Sequence, residues 1–328
     1  MGAEMMFGLY VASQVGTSIG TAQDDPAAIE RLVDELRGGK PLVVREYVHY
    51  LGATPEPERL AVVDPERELR ALTMPDAWYT SEGRQLDLVL CYLPAAADIP
   101  GWLAFIDRVL ERYGPIVRYL QITLEPNFPI PWIDGSSPGV LDALTQGMAH
   151  ARARLDELGH TAIELGFSVA EPPEWLGGDS AFWQHLAGVP GFADLVDYVG
   201  LGLYPDAFSP VAPPGEPGNI VDLTAHALRH LRENSLPAAH LGNVPIHIAE
   251  NGSPAGPERT PERQAASLDQ MIRTIIDLAP KYQITHYELV GLRDADSSAP
   301  EPTAQLGLTT DTYAPKPAFH TYRALITR

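Results

Sequence analysis

The stretch Ile122-Thr123-Leu124-Glu125-Pro126-Asn127 ends an apolar, strand-like run on a glutamate, and the proline that follows turns the backbone away. A carboxyl group is left at the tip. Far downstream, Ile246-His247-Ile248-Ala249-Glu250-Asn251-Gly252 repeats the pattern, with Glu250 closing a second apolar run. In a parallel barrel the C-terminal tips of the strands form the mouth, and reactive groups collect there.

Outward from these two stretches, strand-like runs recur along the whole chain at residues 7–11, 42–47, 86–92, 117–124, 162–169, 198–204, 246–250 and 285–292. That makes eight. Between them lie segments with apolar residues at three- and four-residue intervals, at 26–37, 101–113, 140–158, 221–233 and 261–278, which predict amphipathic helices. Asp24 and Asp25 ahead of Pro26 mark the start of the first, and Gly38-Gly39 its end. Strands alternating with helices predict a parallel sheet. Eight units over 328 residues favour a closed (β/α)8 barrel, a single α/β domain spanning 1–328. An open doubly wound sheet would need a Gly-rich turn after the first strand, and Val11-Ala12-Ser13-Gln14-Val15-Gly16 is not that fingerprint. The Pro- and Gly-rich patch at 209–218 reads as a loop on the mouth side, like the excursions at 128–138, 171–180 and 295–312.

Composition narrows the partners. Asp and Glu number 43 against 23 Lys and Arg, a formal charge of −20 that repels nucleic acid and anionic membrane surfaces. Neither is expected as a partner. Cys91 is the only cysteine, so no intramolecular disulfide can form, and its apolar setting Val89-Leu90-Cys91-Tyr92 predicts an inert core thiol. No basic region precedes the first apolar run and no segment approaches the ~18 apolar residues of a membrane span. The expectation is a cytoplasmic protein without a cofactor. His226 and His230 have the spacing of a helical metal pair, but no third ligand is evident, so no metal site is assigned.

Two carboxyl groups facing each other across a barrel mouth suit glycoside cleavage, in which one protonates the leaving oxygen and the other attacks the anomeric carbon or activates water. At this point the chain resembles the retaining glycoside hydrolases of clan A, the barrel superfamily that includes β-xylosidases, β-mannanases and cellulases. The resemblance covers nearly the whole chain. It implies that Glu125, before Pro126 at the end of strand four, is the acid/base, and that Glu250, ending strand seven, is the nucleophile. It further implies that Tyr204, at the end of strand six, touches the nucleophile and that Arg45, on strand two, supports it. The tail Leu306-Gly307-Leu308, then Tyr313 to Phe319, resembles the closing segment that leads these barrels into a final helix.

Departures from the family's pattern bear on substrate. Its usual Asn before the acid/base is here Leu124, the Asn late on strand six is here Gly202, and the Trp platform of the last strand is missing from Thr285-His286-Tyr287-Glu288-Leu289. Losing a buried polar contact of that kind costs on the order of 2 to 3 kcal/mol, or about a hundredfold in rate. A 2-deoxy or otherwise modified sugar fits such a site. Asn127, Trp132, Glu171, Trp175 and Asp294 complete the candidate substrate contacts, and Phe128 and Phe208 are further aromatics on the same loops. Asp296 is expected to solvate the rim or cap a helix, Trp183 to pack in the core, and Glu46 to be available as an ion-pair partner for Arg45.

The expected activity is cleavage of O-glycosidic bonds in small glycosides or oligosaccharides, with carbohydrate as the partner. The alternative is a catalytically retired or redirected barrel that binds a glycan or serves biosynthesis, motivated by Leu124 and Gly202. A metal-dependent amidohydrolase would need a His-x-His on strand one, where Phe7-Gly8-Leu9-Tyr10-Val11 has none. Phosphate-binding barrels are disfavoured because no Gly-rich cradle follows strands seven and eight.

Overall fold

The computed structural model describes residues 5–13, 23–52, 72–171, 179–207, 211–257 and 259–327. Eight parallel strands close a barrel in sequence order: β1 (Met6–Tyr10), β2 (Leu42–Tyr50), β3 (Arg84–Tyr92), β4 (Val117–Ile122), β5 (Glu164–Ala170), β6 (Tyr198–Leu203), β7 (Ile246–Asn251) and β8 (Ile284–Val290). All eight predicted runs are strands. Closure comes from β1 pairing with β8, Met6 opposite His286 through Tyr10 opposite Val290.

The helices lie where apolar spacing placed them. Pro26–Arg37 starts at Asp25, whose Oδ1 accepts from the backbone N–H groups of Ala27 and Ala28, and it buries Ile29, Leu32, Val33 and Leu36 against the barrel. Ile99–Tyr113, Val140–Leu158, Ile220–His230 and Pro261–Tyr282 follow the same logic. The helix Ile220–His230 runs on into a π-helical turn at Leu231–Ser235. A final helix, Pro317–Ile326, sends the Tyr322 hydroxyl to the carbonyl of Gly8 at 2.6 Å and so ties the end of the chain to β1.

Two kinds of interior result. The outward faces of the strands meet the helices in one large apolar core that contains Leu9, Val44, Leu88, Leu120, Leu165, Leu201, Ile248 and Leu289. Inside the barrel the buried side chains are largely polar: Arg45, Asp87, Gln121, Ser168, His247, His286 and Glu288. Alternation along each strand separates the two.

Candidate active site

Glu250 stands at the end of β7 with three neighbours that suit a negative charge. Tyr47 Oη donates to its Oε1 at 2.7 Å, Tyr204 Oη donates to its Oε2 at 3.0 Å, and Arg45 Nη2 lies 3.7 Å from Oε1. Arg45 is itself fixed on three sides. Its Nη1 reaches Asp87 Oδ2 at 2.6 Å, its Nη2 donates to Gln121 Oε1 at 2.8 Å, and its Nε donates to the Tyr47 hydroxyl at 2.7 Å. Gln121 in turn donates to the Thr123 carbonyl and to Ser168 Oγ, both at 2.9 Å. These contacts run across β2, β3, β4, β5 and β7, so each side chain is held by its neighbours.

Glu125 is placed by unusual backbone. Thr123 and Glu125 both have left-handed φ, +65° and +47°, which for non-glycine residues costs ~1–2 kcal/mol each. Buried hydrogen bonds hold the kink: Asp134 Oδ2 accepts from the N–H groups of Leu124 and Tyr92 at 2.8 and 2.7 Å, and Ser168 Oγ accepts from the N–H of Glu125 at 3.2 Å. The result aims the carboxyl group inward, against Gly202. Gly202 is the strand partner of Glu250, so the two carboxyl groups are brought to one place. Burial, and then the nearby charge of Glu250, push Glu125 up to about 8.

Gly202 thereby acquires a physical reason. A Cβ at that position would overlap Glu125 Oε1, so a side chain there and this carboxyl position exclude each other. Leu124 packs with Leu51, Val89, Cys91 and Leu93, an apolar cluster that also touches Tyr47. The flank of the mouth on that side carries hydrocarbon. Cys91 is buried within it, and burial pushes its thiol well up.

Several expectations are corrected. Asn127 does not face an open mouth: its Nδ2 donates to the Ala170 carbonyl at 2.6 Å and to Asp179 Oδ2 at 3.0 Å, while its Oδ1 accepts from Ala170 N–H at 3.0 Å, so it clasps the ends of β4 and β5. Asp294 is buried, pairing with Lys316 Nζ and accepting from Gly307 N–H, both at 2.8 Å, and from Ser297 Oγ at 2.9 Å; it anchors the closing segment to β8. Glu46 points away from Arg45, as adjacent strand residues must, and accepts from Tyr79 Oη at 2.6 Å and Thr73 Oγ1 at 3.1 Å.

Other candidates keep their place on the mouth side. Glu171, just past β5, is half-buried, and burial together with the charge of Asp179 pushes it up to about 8. Trp132 is half-buried in the loop after β4, with φ +72°. Trp183 is core, stacked among Phe167 and Phe182 with its Nε1 donating to Asp179 at 2.7 Å. Trp175 and Phe208 lie outside the described residues. Among the described residues no group of three His, Cys, Asp or Glu side chains is arranged to hold a metal, and no helix is long and apolar enough to cross a membrane.

Sequence reasoning missed Tyr47, Asp87, Gln121, Ser168, Asp134 and Glu288. The first was within reach, since Tyr47 follows Arg45 by two positions and so shares its face of β2. Asp87, Gln121, Ser168 and Glu288 are buried polar residues inside strands and Asp134 opens a short 3-10 turn in the loop after β4, with no spacing that singles any of them out. At the opposite end of the barrel a surface concavity of about 510 Å3 is lined by Arg118, Arg152, Glu164 and Asp197. Both arginines there are paired, to Glu164 and Asp197, and none of the mouth residues reaches it.

No family model and no curated protein matches the sequence. Solved structures match over nearly the entire chain. A GH1 β-glucosidase from Exiguobacterium antarcticum B7 superposes with a TM-score of 0.65 at 13% identity, covering 99% of this chain and 98% of that one. The β-glucosidase from Thermotoga maritima, solved with deoxynojirimycin, gives 0.65 at 12% identity with the same coverage. A family 39 glycoside hydrolase from Bacteroides cellulosilyticus WH2 gives 0.58 at 14% identity, covering 98% of this chain and 63% of the other. The chain therefore has the (β/α)8 barrel fold that these glycosidases share.

Proposed function

We propose that this protein is a clan A glycoside hydrolase that cleaves O-glycosidic bonds with retention, by double displacement. Glu250 attacks the anomeric carbon while Glu125 gives its proton to the leaving oxygen; Glu125 then takes a proton from water as that water releases the sugar from Glu250. The observation that carries this reading is the contrast between the two carboxyl groups at one mouth. Glu125 is buried, no cation among the described residues forms an ion pair with it, and it is pushed up to about 8, which suits a proton donor. Glu250 receives two phenol donors and faces a guanidinium, which suits an anionic nucleophile. The barrel's likeness to β-glucosidases and a family 39 glycoside hydrolase supports the same class.

Substrate selection follows from what lines the mouth. Leu124 in its apolar cluster and Gly202 beneath Glu125 present no amide to a sugar hydroxyl, so the site favours small glycosides whose sugar lacks or modifies the hydroxyl beside the anomeric carbon. The test is hydrolysis of a panel of aryl glycosides that includes 2-deoxy and pentose members, with wild type beside Glu250→Gln and Glu125→Gln. Turnover by wild type, lost in Glu250→Gln, is the expected result. Undiminished turnover in Glu250→Gln would overturn the assignment, and a folded wild type inert on every member but binding a sugar would favour the retired or redirected barrel.

A further inference from the structure

Beneath the mouth, the barrel interior holds more acidic groups than its buried guanidinium can offset. Arg45 is fully buried; its Nη1 lies 2.6 Å from Asp87 Oδ2 and 3.9 Å from Glu288 Oε2, and its Nη2 lies 3.7 Å from Glu250 Oε1. Asp87 and Glu288 are 0% and 1% exposed. The remaining titratable groups around them supply no further cation. Tyr119 on β4, Tyr198 on β6 and Tyr322 on the final helix are pushed up by burial and keep their protons. His247 on β7 and His286 on β8 are pushed down by burial and stay neutral. Arg118, at the lower rim, is paired with Glu164. Glu250 opens toward the mouth and has two phenol donors, so the excess that burial makes too costly is the pair Asp87 and Glu288 sharing one guanidinium, and a proton stays on one of these two.

Hydrogen bonding identifies which. Glu250 has its two tyrosines and Asp87 Oδ2 has Arg45, but Asp87 Oδ1 and both oxygens of Glu288 are fully buried and receive no donor among the described residues. The two carboxyl groups flank the same arginine nitrogen, Nη1, at 2.6 Å for Asp87 Oδ2 and 3.9 Å for Glu288 Oε2, and so lie side by side. A proton on Glu288 turns two mutually repelling acceptors into a donor and an acceptor. The fold makes room for this arrangement: Gly8, the β1 partner of Glu288, would with a Cβ press on Glu288 Cγ at 3.0 Å and on the Val43 carbonyl at 2.6 Å.

We propose that Glu288 is a positioning residue, a neutral carboxylic acid that donates its proton to Asp87 and so holds the Asp87–Arg45 pair with the second arginine nitrogen facing Glu250. Its protonation stands whatever the substrate; its consequence for Glu250 rests on the glycosidase reading. No residue other than Glu288 is asked to change charge.

Infrared difference spectroscopy tests the first part without any turnover. Full-length Glu125→Gln is compared with Glu125→Gln plus Glu288→Gln near neutral pH; the first change removes one raised acid at the mouth, and Glu171, common to both proteins, cancels in the difference. Loss of a protonated-acid carbonyl band on adding Glu288→Gln is expected; loss of carboxylate intensity in its place would overturn the proposal. Once a turned-over glycoside is known, pH profiles of kcat/KM test the second part. Glu288→Gln keeps the midpoint of the acidic limb, because no charge is removed, and Glu288→Leu, which cannot donate, loses about tenfold in kcat/KM that Gln restores. An acidic limb displaced downward by about one unit or more in Glu288→Gln would mean that an anion beside Glu250 had been lost, and would sink it. If no glycoside is turned over, the glycosidase reading fails alone and the infrared result still decides the protonation of Glu288.

Discussion

The ends of β4 and β7 carry the same functional group in opposite surroundings. Glu125 sits on a kinked backbone, left-handed itself and two residues after left-handed Thr123, buried against a glycine, with its own N–H held by Ser168. Glu250 stays within its strand, where the register with both neighbouring strands shifts between Ile248 and Asn251, and is surrounded by phenol and guanidinium donors. Burial favours the acid form and donors favour the anion, so one barrel mouth puts two identical side chains in opposite surroundings, as the two proposed roles require. The comparison teaches that role lies in the surroundings rather than in the residue type, and it can be broken from either end.

Removing the β7 carboxylate is the harshest intervention. Glu250→Gln keeps the shape and can still meet Tyr47 and Tyr204, but it cannot form a glycosyl ester, and turnover of a reactive aryl glycoside should fall on the order of 10^4-fold. At the β4 end, Glu125→Gln removes only proton transfer, a loss of ~10^2 to 10^4-fold for poor leaving groups and much less for an activated phenol. A comparable loss for both leaving groups would deny Glu125 the acid's role. The pH profile sharpens the same point. Glu125 donates only while protonated, and with its carboxyl raised to about 8 the activity should hold below that pH and decline as pH rises through it. Glu125→Gln should erase this alkaline limb; a limb that survives the substitution belongs to another group.

Gly202→Ala attacks the geometry of the β4 end and leaves its chemistry intact. The new methyl overlaps Glu125 Oε1, so the carboxyl must swing away from the strand that carries Glu250. Misplacing a reacting group by about an ångström costs up to ~10^2-fold, and the alkaline limb should move toward lower pH as the displaced carboxyl becomes better solvated. Wild-type rates in Gly202→Ala would show that the packing of Glu125 on Gly202 has no part in catalysis.

The two ends also differ in how far they could be read from sequence. The barrel was legible because eight apolar runs alternate with amphipathic segments, and outward-facing residues such as Leu88, Leu120 and Ile248 obey one rule, burial under helices. Glu125 and Glu250 were legible because a carboxyl at a strand tip breaks that rule. The network beneath them was not. Asp87, Gln121, Ser168 and Glu288 sit inside strands whose other face is apolar, and only barrel closure brings β3, β4, β5 and β8 around Arg45. Asn127 and Asp294 misled for the converse reason: both lie near the mouth in sequence, but local backbone groups claim their polar atoms first.

The smallest test separates the two phenols that serve Glu250. Tyr204 donates to Oε2 at 3.0 Å. Tyr47 donates to Oε1 at 2.7 Å and also receives Arg45 Nε at 2.7 Å, so a charged group polarises its O–H. A hydrogen bond to a charged group contributes ~1.5–3 kcal/mol, and the polarised one should lie at the upper end of that range. Tyr47→Phe is therefore expected to lower kcat/KM more than Tyr204→Phe, by up to ~10^2-fold, because the carboxylate loses its stronger donor. Equal effects would mean that Arg45 acts on Glu250 directly across its 3.7 Å separation and that the phenol between them transmits nothing.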